Sequence, residues 1–177
     1  MKAKAIILPK NKIDKSPQGF IDKDILPLLN RVNQKYKTTS SCSGRITLLQ
    51  GRKKGDVHWL YKTHTKASAQ KIYDILQSER ALRFFYEPLI LHFQCQNKEE
   101  AEKVLYTIQM AGFKKSSIIS VKHWTIEINE TGKMETILTK ELSKKYISLL
   151  VREANTRLKK TKENIKKLEN LFLTLSI

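Results

Sequence analysis

Residues 38–50, Thr38-Thr39-Ser40-Ser41-Cys42-Ser43-Gly44-Arg45-Ile46-Thr47-Leu48-Leu49-Gln50, decide how the rest of the chain is read. The first eight carry five hydroxyl side chains and close on glycine and arginine, which reads as a loop; the next five are apolar enough for a strand. A second strand, Val57–Lys62, follows the turn Gly51-Arg52-Lys53-Lys54-Gly55, so the pair reads as a hairpin with a basic tip pointing into solvent. Upstream, the spacing of Ile25, Leu28, Leu29, Val32 and Tyr36 predicts a helix over Asp22–Tyr36, with Pro27 tolerated in its first turn.

Downstream, Ser68 can cap a helix running to about Arg80 with Ile72, Ile75 and Leu76 inward. Phe84–Cys95 reads as a long or bent strand whose start Pro88 would place at an edge. Asn97-Lys98-Glu99-Glu100 has the form of a capping box opening a helix through Ala111, stopped by Gly112. Strands are expected at Ser117–Val121 and Trp124–Ile128, the latter alternating Trp124, Ile126 and Ile128 against Thr125 and Glu127. From Glu141 to Leu175 there is neither Gly nor Pro, and Ile147, Val151, Ala154, Leu158, Thr161, Ile165, Leu168, Phe172 and Leu175 recur at heptad spacing, giving one long helix or two stacked ones. The expected class is α+β: a single domain with a mixed β-sheet, flanking helices and a long C-terminal helix, its body at 1–140 and its helical segment at 141–177 packed on it.

The chain of 177 residues carries a formal charge of +17. That charge is concentrated: +10 falls in residues 1–55, +1 in 56–142 and +6 in 143–177. Such a field attracts polyanions, and nucleic acid is the leading partner, with an anionic membrane surface as the competitor. With 40% apolar and 29% charged residues the chain can bury a core, and no apolar run approaches the ~20 residues of a membrane span or forms a signal peptide, so the cytoplasm is the expected location. Cys42 and Cys95 lie far apart with no CxxC, which excludes a closed Cys-rich zinc site; reduced thiols and no metal are expected. Neither GxGxxG, GxxxxGK[ST], HExxH nor GxSxG occurs, so the corresponding nucleotide, zinc and hydrolase sites lack support.

Three segments carry candidate chemistry. In Thr38–Arg45, hydroxyls and loop amides can wrap an anion or carboxylate while Arg45 offers a bidentate fork; a turn satisfying its own backbone is the plain alternative. Asp14-Lys15-Ser16-Pro17-Gln18-Gly19-Phe20-Ile21-Asp22 holds two of the three carboxylates among the first 55 residues, placed to grip an amino group, a ribose or a basic neighbour, or simply to cap a helix. His58-Trp59-Leu60-Tyr61-Lys62-Thr63-His64 puts Trp59, Tyr61 and Thr63 on one strand face, as a stacked base or a core would require, with His64 just past the strand. Trp59 and Tyr61, with Lys53 and Lys54 of the hairpin tip, form the expected RNA-contact set.

Taken in order, DKSPQGFID, TTSSCSGRI, WLYKTH, EPLILHFQC, AEKVLYTIQMAGFKKSS and LVREANTRL resemble, over nearly the whole chain, the tRNA wybutosine-synthesising protein 3 family of tRNA-Phe methyltransferases. The resemblance implies S-adenosylmethionine-dependent methylation of nitrogen 4 of a 4-demethylwyosine-type base beside the anticodon of tRNA-Phe, by a fold other than the usual methyltransferase one. One departure is Gln18, where the family commonly has Lys. On this reading Ser41, Arg45 and His64 are the catalytic set, with Arg45 on a carboxylate or phosphate and His64 as proton acceptor or base-edge contact. Ser40, Ser43 and Asp14 or Asp22 bind the methyl donor, Trp59 or Tyr61 stacks on the base, and the partner is the tRNA-Phe anticodon loop, met by a monomer. The alternative that the composition alone allows is a non-catalytic basic RNA-binding protein.

Overall fold

The computed structural model describes residues 21–51, 57–79 and 81–175. A 3-10 turn at Lys23–Ile25 leads into α1 (Leu26–Val32), then β1 (Lys37–Gln50), β2 (His58–Thr63), α2 (Ala69–Gln77), β3 (Ala81–Gln94), α3 (Lys98–Met110), β4 (Ser117–Ser120), β5 (Thr125–Asn129), β6 (Met134–Thr139) and α4 (Lys144–Leu175). The strands are hydrogen-bonded in the order β2-β1-β3-β5-β4, with β6 on β3. The α+β class with one long C-terminal helix is therefore what folds. No helix among the described residues is long and apolar enough to cross a membrane.

Helix ends follow the side chains that can satisfy them. Ser68 accepts from the Lys71 amide, Asn97 from Glu100, and Ser143 from Tyr146, each supplying an oxygen to an amide that the helix itself cannot pair. The Glu100 carboxylate reaches back to the Gln96 amide, and Gly112 takes the left-handed conformation (φ +102°) just past α3.

The chain forms two compact units, each with its own apolar core. One is built from the segment ending at Cys42, from Leu89–Asn129 and from Asn164 onward; the other from Ser43–Pro88 and Glu130–Glu163. In the first, Ile25, Leu28, Leu29 and Val32 pack with Leu91, Phe93, Val104, Ile108, Ile126, Ile128, Ile165, Leu168 and Phe172. The rings of Tyr36 and Phe172 stand 5.1 and 5.5 Å from that of Phe93. In the second, Ile46, Leu48, Leu82, Phe84, Tyr86 and Leu138 pack with Ile72 and Leu76 of α2 and Ile147, Val151, Ala154 and Leu158 of α4. The heptad stripe of α4 thus serves both cores.

Several sequence expectations are corrected. Thr38–Arg45 is not a loop: β1 runs through it from Lys37, because its backbone pairs in the sheet whatever its polar side chains do. The expected helix over Asp22–Tyr36 is shorter, a 3-10 turn and α1, ending where the Asn33 carboxamide accepts from the Thr38 amide. Pro88 does not sit at a sheet edge. It lies between the β3 residues that pair with β6 (81–86) and those that pair with β5 (90–94), where its missing N–H breaks no bond of those two ladders. Trp124 is not a strand residue but a turn residue with φ +44° before β5, and β6 had no expectation at all. The hairpin tip bearing Lys53 and Lys54 lies outside the described residues.

Two measurements check this packing. Phe93→Ala, which removes the central ring of the trio, should lower stability by about 3–5 kcal/mol in urea unfolding; a loss under ~1 kcal/mol would contradict the core assignment. Burial pushes the Cys95 thiol up to about 12, so its thiolate is scarce at mildly alkaline pH. Iodoacetamide should label Cys95 only once the protein is denatured, and labelling of the native protein would contradict that burial.

Candidate active site

The site is read in the second unit, where β1 bends at Gly44. Gly44 has φ +84°, a conformation that L side chains rarely adopt. An added Cβ would also stand 2.9 Å from Thr161 Cγ2, 3.2 Å from Leu158 Cδ1 and 3.4 Å from the Glu87 carbonyl oxygen. Both conformation and space therefore require glycine. Thr161 is itself fixed, since its hydroxyl donates to Glu130 Oε2 (2.5 Å) and accepts from the Tyr86 phenol (2.8 Å).

The Gly44 carbonyl faces His64, whose Nδ1 lies 2.9 Å from it. A carbonyl can only accept, so Nδ1 carries the proton, and in the neutral ring Nε2 is the lone-pair nitrogen. The segment after β2 that bears His64 is held from α4: the Asn155 carboxamide accepts from the Ala67 amide (2.8 Å) and donates to the Ala67 carbonyl (3.0 Å). On the other side of Gly44, Ser43 is fully buried, and the Lys162 ammonium donates to its hydroxyl (2.8 Å) and its carbonyl (2.9 Å).

Arg45 donates through Nε to Glu87 Oε2 (2.5 Å), and its guanidinium lies 5.0 Å from the centre of the Trp59 ring. Lys62 approaches the same ring at 5.4 Å. Trp59 remains 40% exposed. It does not share a face with Tyr61, as strict alternation would have it. The β1–β2 register pairs Leu48 with Tyr61 but Leu49 with Trp59, so Leu60 is an extra residue and the bulge turns Trp59 to the opposite side. Tyr61 instead packs on the core, where its hydroxyl accepts from the Ser68 amide (3.3 Å).

Of the residues expected from sequence, Ser43, Arg45, His64 and Trp59 are joined here by β1, β2 and their contacts. Ser40 is exposed and Ser41 half-buried on the part of β1 that belongs to the other unit, as does Asp22, which precedes the 3-10 turn. Asp14, like Lys53 and Lys54, lies outside the described residues. Sequence reading gave Glu87, beside Pro88, only as a weak candidate and missed the roles of Asn155, Thr161 and Lys162. Asn155 left a signal as a carboxamide within the motif LVREANTRL, and Thr161 only as a member of the helical stripe.

Within an α+β fold, then, a histidine is bonded to a glycine carbonyl, a buried serine is held by an ammonium, and a guanidinium lies on a half-exposed indole. The chain belongs to the family described as Methyltransferase TYW3, whose model matches residues 2–174. It is 35% identical over 89% of its length to a Thermococcus sibiricus protein, of which it covers 86%, named tRNA(Phe) 7-((3-amino-3-carboxypropyl)-4-demethylwyosine(37)-N(4))-methyltransferase. A protein of the same name, numbered 1, from Pyrococcus horikoshii is 34% identical, with 90% of this chain and 88% of that protein covered. The fold resembles the solved PH1069 protein of Pyrococcus horikoshii with a TM-score of 0.79 at 32% identity, covering 88% of this chain and 87% of that one.

The central role of Gly44 gives a test. Gly44→Ala should destabilise the protein by about 1–3 kcal/mol or more, from the backbone conformation together with the clash. Adding Thr161→Ser, which removes Cγ2 but keeps the hydroxyl, should recover part of that loss in urea unfolding. Wild-type stability of Gly44→Ala would show that neither constraint operates.

Proposed function

We propose that this protein methylates nitrogen 4 of a 4-demethylwyosine-type base at position 37 of tRNA(Phe), with S-adenosylmethionine as the methyl donor. Support comes from membership of a methyltransferase family, from relatives named for that substrate over most of the chain, and from the charge of +17 that suits an RNA partner. The observation that carries the chemistry is the His64–Gly44 hydrogen bond, which puts a proton on Nδ1 and orients the ring.

When bound, S-adenosylmethionine supplies a methyl group already activated on a sulfonium sulfur. In the second unit Arg45 and Lys162 are the cations that would meet its carboxylate, and Glu87 and Glu130 the carboxylates that would meet its ribose hydroxyls or ammonium, each giving up its present bond to Glu87, Ser43, Arg45 or Thr161. Transfer would exchange the S–CH3 bond for an N–CH3 bond with loss of the nitrogen 4 proton, and His64 is the residue this chain would offer to take that proton. Most of the acceleration then comes from alignment of nitrogen, methyl and sulfur, which rigid placement of the site residues provides.

Arg45, held by Glu87, is the cation placed to meet a carboxylate of the substrate arm or a phosphate. Trp59 gives the base a surface to stack on. Ser43 acts through Lys162, whose ammonium it positions. Ser41 keeps the catalytic role that the family resemblance implies, and Ser40 and Asp14 or Asp22 keep theirs toward the donor and its positive end.

Single-turnover methyl transfer to tRNA(Phe) from a strain lacking this step tests the reading. His64→Ala should lower the rate by about 10²–10⁴-fold while leaving tRNA binding within about twofold of wild type. Full rates in both His64→Ala and Arg45→Ala would remove the site assignment, and wild-type protein that binds tRNA without transferring methyl would favour the RNA-binding alternative.

A further inference from the structure

In the second unit β2, β1, the first half of β3 and β6 form a four-stranded sheet with two unlike faces. Ile46, Leu48, Leu82, Phe84, Tyr86 and Leu138 point to the core, where α2 and α4 both pack. The alternate residues Arg45, Thr47, Trp59, Lys62, Arg83, Phe85, Glu87, Glu135 and Ile137 fall on the opposite face, where Thr47 (1% exposed) and Phe85 are buried and Trp59 and Glu135 are exposed. Ile137 is 54% exposed there.

That face carries the same arrangement twice. Around Trp59, the Arg45 guanidinium lies at 5.0 Å and the Lys62 ammonium at 5.4 Å, with Arg45 held by Glu87 at 2.5 Å. Around Phe85, the Arg83 guanidinium lies at 4.7 Å and the Lys133 ammonium at 5.5 Å, with Arg83 held by Glu135 at 2.7 Å. In each case an aromatic ring supports a flat guanidinium that a carboxylate keeps from rotating, with a lysine alongside. Phe85 itself is 7% exposed, so the surface its cluster offers is the outer plane of Arg83 rather than the ring. Arginine planes and aromatic rings on an open sheet are surfaces on which unstacked bases lie, and adjacent lysines neutralise the phosphates between them. A protein partner would be expected to meet an apolar centre, whereas this face alternates rings with cations.

We propose that the exposed part of this face, from Trp59 to Arg83 and Ile137, is a docking platform for unpaired nucleotides of the substrate RNA, with Arg83 on Phe85 forming a second stacking position beside that of Trp59. The proposal rests on the tRNA reading above and adds a site to it. The Glu135 carboxyl, held below the usual range chiefly by its bond from Arg83, stays ionised and keeps that clamp closed at neutral pH.

The test is equilibrium binding of an isolated anticodon stem-loop RNA and of a blunt RNA duplex of equal length, without methyl donor. Arg83→Lys keeps the charge and removes the plane. It should weaken stem-loop binding by about fivefold or more, the lower end of what one stacked base contributes, and leave duplex binding unchanged. Phe85→Leu should act in the same direction, and Lys71→Gln with Lys140→Gln, two exposed lysines away from this face, should affect both RNAs alike. In methylation assays Arg83→Lys should raise KM for tRNA and leave kcat unchanged. Wild-type stem-loop affinity in Arg83→Lys and Phe85→Leu overturns the proposal. So does concentration-dependent dimerisation that these variants abolish with RNA binding intact, which would assign the face to a second copy. Should the wild type transfer no methyl while the stem-loop effect is present, the enzymatic reading fails and the platform stands; the converse result removes the platform alone.

Discussion

The close approach of α4 to Gly44 is the constraint around which the second unit is arranged. Gly44, at φ +84° within β1, has room for hydrogen only beside Leu158 and Thr161, and its carbonyl accepts from a side chain. The carbonyl then meets His64 Nδ1, and the residues on either side, Ser43 and Arg45, are tied to Lys162 and Glu87. Asn155 fixes the segment that carries His64. Each polar side chain of the site is thereby oriented by another group, the condition under which positioning can do most of the catalytic work.

The long helix gives the chain its economy. One apolar stripe supplies Ile147, Val151, Ala154 and Leu158 to one core and Ile165, Leu168 and Phe172 to the other, while residues flanking the stripe reach the site. Spacing made that stripe legible, as did the caps Ser68 and Asn97, because both are local rules of helix geometry. The SSCSGR segment was not legible as a strand. Its hydroxyls carry turn propensity, and only pairing with distant strands overrides it, a long-range effect that local pattern does not contain. The bulge at Leu60 was invisible for a related reason: alternation predicts faces only while the register is unbroken.

The candidate residues divide in the same way. His64 and Arg45 could be picked out by chemistry within a distinctive motif, and the structure supplies what each one touches. Lys162 could not, since one lysine among many basic residues looks like ordinary surface, and Glu87 stood out only weakly, beside Pro88. Their roles arise from β3 and α4 coming to Ser43–Arg45, more than forty residues away in either case.

The account turns on which imidazole nitrogen of His64 bears the proton. Nitrogen NMR of the protein labelled with 15N-histidine, recorded above the imidazole titration range, reads this directly when His64 is assigned by comparison with His64→Gln. A protonated Nδ1 and an unprotonated Nε2 are predicted. The reverse tautomer, or two nitrogens exchanging as in free imidazole, would contradict the claim that the Gly44 carbonyl prepares His64 to accept a proton.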